Sequence, residues 1–130
     1  RPLITPRLVT HALNTIKGSL DADGVIVATP AIDTLKMVEN GVIVGTPDRR
    51  AFWNAQTPQI FRTGMYRRAH ASALYDGFSG TDDSSLIERL GGRVMVVEGK
   101  RDNIKLTVPE DYLLLAAAIA ALRNEDGKED

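Results

Sequence analysis

The sequence predicts an α/β protein in which helices are layered on a sheet. Three observations carry this. Gly24 to Thr29 reads GVIVAT, short, β-branched and apolar without alternation, which suits a strand covered on both faces. A second short apolar run, Val94 to Val97, lies between segments with helical spacing. Strands that alternate with helices in this way form a layered α/β sheet.

The elements follow in order. Thr5-Pro6 reads as an N-cap followed by Pro at the first helical position. Leu8, Val9, Ala12, Leu13 and Ile16 then recur at helical spacing until Gly18, a helix of about three turns. Pro30 ends the first strand. Thr34 to Val38 and Val42 to Val44 flank Glu39-Asn40-Gly41, and Asn-Gly between two β-like runs predicts a hairpin. With few large apolar residues and charges on both flanks, it is expected to project as an arm. Phe52 to Phe61 is extended, but Pro58 within it implies an edge or a bulge rather than a regular central strand. Thr63 to Leu74 is helical, with Met65, Ala69 and Ala73 on one side. Asp82 or Asp83 caps a short helix through Leu90 that Gly91-Gly92 closes. Val94 to Val97 is expected as a buried strand. Pro109 opens a Leu- and Ala-rich helix to Leu122, and residues 123–130 are expected as a disordered acidic tail or linker.

The chain of 130 residues suits one domain or a large piece of one. A net charge of −1 argues against a general nucleic-acid binder. The acids are concentrated in Asn124 to Asp130, so the body leans slightly positive, toward anionic ligands. No cysteine is present, which excludes disulfides, thiolate zinc sites and thiol nucleophiles. No apolar run approaches the roughly 18 residues of a membrane span, and no signal peptide is visible. A cytoplasmic location is the expectation. The chain begins at Arg1 rather than Met, and a preceding segment is expected, since the βα turns that usually bind a nucleotide in such sheets are absent.

No cluster suggests autonomous catalysis. His11 and His70 stand alone on predicted helices, and a working base needs an orienting partner. Four local groups have both a bland and a functional reading. Asp33-Thr34-Leu35-Lys36 is a solvated turn, or a hydroxyl and backbone amides facing an anion. Asp48-Arg49-Arg50 is a salt-bridged loop, or a pair of forked donors matched to a phosphate. Gln56-Thr57-Pro58-Gln59 places polar groups inside an apolar segment, where they satisfy backbone or reach a ligand. Thr81-Asp82-Asp83 reads as a helix cap, and Lys105, in Asn103-Ile104-Lys105-Leu106-Thr107, as an exposed charge or one aimed at a phosphate.

Taken in order, these pieces resemble the 2-C-methyl-D-erythritol 4-phosphate cytidylyltransferases. Arg1-Pro2 resembles the end of that family's D-A-A-R-P segment, and Asp33 to Lys36 its D-T-[ILM]-K. Arg49, Phe52-Trp53 and Gln56 to Phe61 resemble its R-x-x-L-W-x-x-Q-T-P-Q-x-F. Thr81 to Asp83 resembles its T-D-[DE]. Glu98-Gly99, Asn103 to Thr107 and Pro109-Glu110-Asp111 resemble its E-G-x-x-x-N-[IM]-K-[ILV]-T-x-P-E-D. The resemblance runs from Arg1 to Leu122 and implies part of a Rossmann-like nucleotidyltransferase domain over 1–122.

The resemblance implies that Arg49 and Lys105 position an acceptor phosphate as the catalytic pair. It implies substrate contacts from Arg1, Asp33, Thr34, Thr57 and Thr81, and assigns no cofactor or metal ligand to this chain. It further implies a homodimer interlocked through residues 33–49, with Thr34 and Arg49 serving the partner's site. An acceptor phosphate oxygen would attack the α-phosphorus of CTP and release pyrophosphate, with Mg²⁺ bound with CTP mainly by the amino-terminal segment. Val108 stands where the family often has an N-cap Thr, a difference of roughly 1 kcal/mol in helix stability. Three rival readings remain: a ribitol-phosphate cytidylyltransferase, a fusion enzyme with a following cyclase domain, and a non-catalytic dimerisation fragment.

Overall fold

The computed structural model describes residues 1–126 of the chain. A three-stranded mixed sheet forms its centre, in the order β4-β1-β5. The middle strand, β1 (Gly24–Pro30), pairs antiparallel with β4 (Trp53–Phe61) and parallel with β5 (Val94–Glu98). Its central position explains the run without alternation, because helices cover both of its faces. On one face α1 (Pro6–Gly18) brings Ala12 and Ile16 against Val25, Val27 and Val97. On the other, α2 (Thr63–Tyr75) and α3 (Asp83–Arg89) pack Met65, Ala69, Ala73, Leu86 and Ile87 with Phe61 and Val94. Alternate residues of β4 and β5 are thereby divided between two cores, Ile60, Met95 and Val97 on one side and Phe61 and Val94 on the other.

Local chemistry sets the element ends. The Thr5 hydroxyl accepts from the Leu8 amide at 3.2 Å, with Pro6 in the first turn of α1. The far end of α1 is held by Arg62, whose guanidinium donates to the carbonyls of Ala22 (2.7 Å), Ser19 (2.9 Å) and Ile16 (3.2 Å). The Ile16 and Ser19 carbonyls also accept from the amides of Ser19 (3.4 Å) and Ala22 (3.3 Å), so Arg62 reinforces the turn that ends the helix. Asp82 caps α3, accepting from the Ser85 amide at 3.0 Å.

Between β1 and β4 the chain runs out into a separate two-stranded hairpin, β2 (Met37–Glu39) and β3 (Val42–Gly45). Asn40 and Gly41 at its tip have φ of 48° and 81°, and positive φ at both central residues is the requirement of a type I′ turn. The first strand is shorter than expected, because residues 34–36 form no ladder. The expectation of few large apolar residues is also corrected: Met37, Val38, Val42, Ile43 and Val44 are 50–64% exposed. This is an apolar arm with nothing packed on it among the described residues.

β4 carries the irregularity that Pro58 implied. Ile26 pairs with Gln59 and Ala28 with Ala55, so Gln56, Thr57 and Pro58 stand opposite Val27 alone. The Thr57–Pro58 peptide is cis. This bulge lifts three residues out of the ladder.

Three further expectations change. β5 is an edge strand in which only Val97 is buried and Val96 is 46% exposed, because among the described residues no strand lies beyond it. The last helix, α4 (Asp111–Asp126), opens two residues after Pro109. Val108 is not its cap: the Asp111 carboxylate reaches back to accept from the amides of Thr107 (2.7 Å) and Val108 (3.0 Å) and from the Thr107 hydroxyl (2.8 Å). Those bonds hold Asp111 below the ordinary carboxylate range. α4 also runs past Leu122, so residues 123–126 are helical rather than a disordered tail; 127–130 lie outside the described residues. The Leu- and Ala-rich stretch before them propagates the helix, since each added residue costs little once a helix exists.

Candidate functional site

The bulge in β4 creates the site. Thr57 leaves the ladder midway along β4, where the segment after β5 is bonded to the bulge, and a cavity of about 470 Å³ opens there. Arg1, Ala55, Gln56, Thr57, Gln59, Thr81, Asp82 and Lys105 line it. Four of the seven residues proposed from the sequence, Arg1, Thr57, Thr81 and Lys105, therefore converge.

Two cations face this cavity. Arg1 is tied by its own donors, from Nη1 to the Asn103 carbonyl and from Nη2 to the Ala55 carbonyl at 3.1 Å. Partial burial pulls its pKa below the ordinary arginine value. Lys105 is exposed and makes no ion pair among the described residues. A cation pinned by carbonyls beside one with a free ammonium suits an anionic ligand, to which Thr57 and Thr81 offer hydroxyls.

Asp82 lines the same cavity, but its oxygens are engaged. It accepts from Gln59 Nε2 at 2.8 Å, from the Ser84 hydroxyl at 3.0 and 3.1 Å, and from the Ser85 amide. Burial alone would raise its pKa; the bonds from Gln59 and from Ser84 and Ser85 outweigh that and hold it low. Asp82 thus organises the wall as a carboxylate whose charge is met by donors on Gln59, Ser84 and Ser85.

The other three proposed residues lie elsewhere. Asp33, Thr34 and Arg49 are exposed at the root of the arm and do not line the cavity. There the two adjacent arginines separate in role. Arg50 is committed to Asp48, with a 2.6 Å ion pair and Nε bonds of 2.9 and 3.0 Å, which lowers the Asp48 pKa. The paired-arginine clamp is therefore corrected to Arg49 alone, whose Nη1 donates to the Ile32 carbonyl.

A larger cavity of about 620 Å³ adjoins the first across Thr57, Gln59 and Asp82, lined also by His70, Ala73, Leu74, Phe78 and Leu86. No Lys or Arg lines it, so the smaller cavity is the better anion site. His70 is not isolated as expected: Nε2 lies 3.3 Å from Asp83 Oδ1, and its ring packs on Tyr66 at 4.2 Å.

Sequence reasoning missed the groups that hold the site together. Asn103 is 2% exposed and bonds to Gln56 and to the Thr57 carbonyl. Its position two residues before Lys105 was the available signal. Among the described residues no group of three or more His, Asp or Glu could hold a metal ion, and no helix is long and apolar enough to cross a membrane.

A sheet of this kind, with a cationic cavity beside a strand bulge and an arm leaving its edge, has the fold of the nucleotidyltransferases. The solved structures that superpose on it bear this out. A 4-diphosphocytidyl-2C-methyl-D-erythritol synthase from Anaerococcus prevotii matches at a TM-score of 0.80 and 32% identity, covering 95% of this chain and 55% of its own. A 2-C-methyl-D-erythritol 4-phosphate cytidylyltransferase from Francisella tularensis matches at 0.81 and 29%, covering 91% and 55%. The chain belongs to the 2-C-methyl-D-erythritol 4-phosphate cytidylyltransferase family, whose model matches residues 1–123. It is 54% identical over 125 residues to the enzyme of that name from Geotalea uraniireducens, with 96% of this chain and 52% of the relative covered. The chain spans about half the length of the curated relatives it matches.

Proposed function

We propose that this chain forms the acceptor-binding half of an enzyme that transfers a cytidylyl group from CTP to 2-C-methyl-D-erythritol 4-phosphate, with an amino-terminal half like that of its relatives holding the nucleotide. The observation that carries this is the convergence of Arg1, Thr57, Thr81 and Lys105 on one cavity. An acceptor phosphate oxygen bonds to the α-phosphorus of CTP as the bond to the pyrophosphate oxygen breaks. Two anions must meet, so the chain's part is to neutralise and orient the acceptor. Lys105 supplies the mobile charge, Arg1 a fixed one, and the two threonines hold oxygens in line.

The same reading assigns Mg²⁺ to CTP and the amino-terminal half. A cytoplasmic location belongs to this reading. So does a dimer formed through the arm, supported by the exposed Met37, Val38, Val42, Ile43 and Val44. The partner's arm would bring Asp33, Thr34 and Arg49 to the cavity.

The test is Lys105→Ala in the full-length protein. Losing one charge-assisted contact to a phosphate is worth roughly 2–4 kcal/mol at the transition state, about two to three decades in kcat/KM for the acceptor. The KM for CTP should stay near its starting value. Near-normal turnover would remove the assignment.

A further inference from the structure

Lys105 stands in the stretch between β5 and α4, which contains neither helix nor strand. A side chain on such a segment is placed only as well as the segment is tied down. Here the ties are two buried amides. Asn103 Nδ2 donates to Gln56 Oε1 at 3.1 Å and to the Thr57 carbonyl at 2.9 Å. Gln56 Nε2 in turn donates to the Lys100 carbonyl at 3.0 Å. Gln56 and Asn103 are 7% and 2% exposed. The bulge that presents Thr57 is thus fastened to the segment that presents Lys105, at Lys100 and again at Asn103.

Two details separate this latch from ordinary packing. Asn103 Oδ1 is buried without a partner. An unpaired buried acceptor costs stability, so stability alone is a poor reason for an amide here. Gly99 also leaves room for the latch: a Cβ there would meet Gln56 Oε1 and Val27 Cγ1, both at 2.4 Å.

We propose that Gln56 and Asn103 are positioning residues that set Lys105 against Thr57 for the acceptor phosphate. The inference rests on the acceptor-site reading above. Neither amide is required to touch substrate; both act through the placement of Lys105.

The experiment is a double-mutant cycle in the full-length protein. Asn103→Ala and Gln56→Met are each made with Lys105 intact and with Lys105→Ala, and kinetics are measured for acceptor and for CTP. With Lys105 intact, each change should lower kcat/KM for the acceptor about 10–100-fold, the scale of a misplaced reacting group. The KM for CTP should move by less than about twofold, since the amides act on the acceptor side alone. With Lys105 already removed, the same changes should cost less than about threefold, because there is nothing left to place. Equal losses in both backgrounds would overturn the latch and leave the acceptor site standing. A Lys105→Ala enzyme with native kcat/KM would overturn the acceptor site, and the latch with it. If Asn103→Ala does not fold, Gln56→Met and Gly99→Ala carry the same cycle, since each disturbs the latch from a different side.

Discussion

The two ends of the proposed clamp are built in opposite ways. Around the cavity, polar side chains are buried or half-buried and committed: Asn103 to Gln56 and Thr57, Gln56 to Lys100, Arg1 to Asn103 and Ala55, Asp82 to Gln59 and Ser84. At the arm, apolar side chains are exposed and unpacked, and Arg49 is fixed only by the Ile32 carbonyl. A buried polar network rigidifies what it holds, whereas an exposed apolar hairpin of two strands has too little to pack on itself. The cavity wall is held by its own hydrogen bonds, while the arm leaves its apolar side chains exposed.

The largest effect expected from this contrast is at Arg49. In the full-length protein Arg49→Ala should cost about two to three decades in kcat/KM for the acceptor, as Lys105→Ala should, and Arg49→Lys should remain poor because an ammonium cannot reproduce a fork. Mixing the inactive Arg49→Ala and Lys105→Ala proteins then breaks or sharpens the comparison. If the arm serves the partner's cavity, each mixed dimer has one intact site and about half of native activity per dimer returns. If both residues serve one cavity, nothing returns.

Next comes the arm itself. Ile43→Asp or Val38→Asp should convert dimers to monomers in sedimentation, while the monomer keeps its melting temperature within a few degrees. An unchanged dimer would place the interface elsewhere. A buried charge in an interface core is costly, whereas within the chain each change disturbs chiefly the cross-strand pair that Val38 and Ile43 make with each other.

A smaller effect belongs to the committed region. Asp82→Ala should lower stability by about 1–2 kcal/mol, since it removes the α3 cap and the Gln59 bond. Because Asp82 titrates below its unfolded value, its contribution is present in full above the unfolded pKa. It is lost as pH falls through the lower folded pKa. Urea midpoints should therefore separate native and Asp82→Ala proteins at neutral pH and converge at strongly acidic pH. The smallest effect is at Asp111, where replacement by Ala should loosen the turn before α4 by less than the Asp82 change, read as faster amide exchange at Thr107 and Val108.

Much of this was legible in the sequence, and for identifiable reasons. The GVIVAT strand, the Asn-Gly turn and the Thr5-Pro6 start each depend on neighbouring residues alone. Pro58 announced an irregularity, although only the pairing shows three residues opposite Val27. What could not be read depends on distant partners. Arg62 bonds to Ile16 at the end of a helix 46 residues away, and Asn103 meets Gln56 at the bulge of β4, 47 residues before it. The start of α4 was misplaced at Pro109 because the carboxylate of Asp111, inside the helix, reaches back to the amides before it. Val94 to Val97 reads as buried by composition, yet exposure at a sheet edge depends on what lies beside it.

The order β4-β1-β5 leaves two strands with one unpaired side each. The nine residues of β4 include half-exposed Trp53, and an unpaired strand edge is a template on which any extended chain can build. Among the described residues, the outer sides of β4 and β5 are thus where an extended segment can add to the sheet. Pro58 shortens the stretch that can be copied, because it has no amide hydrogen to donate.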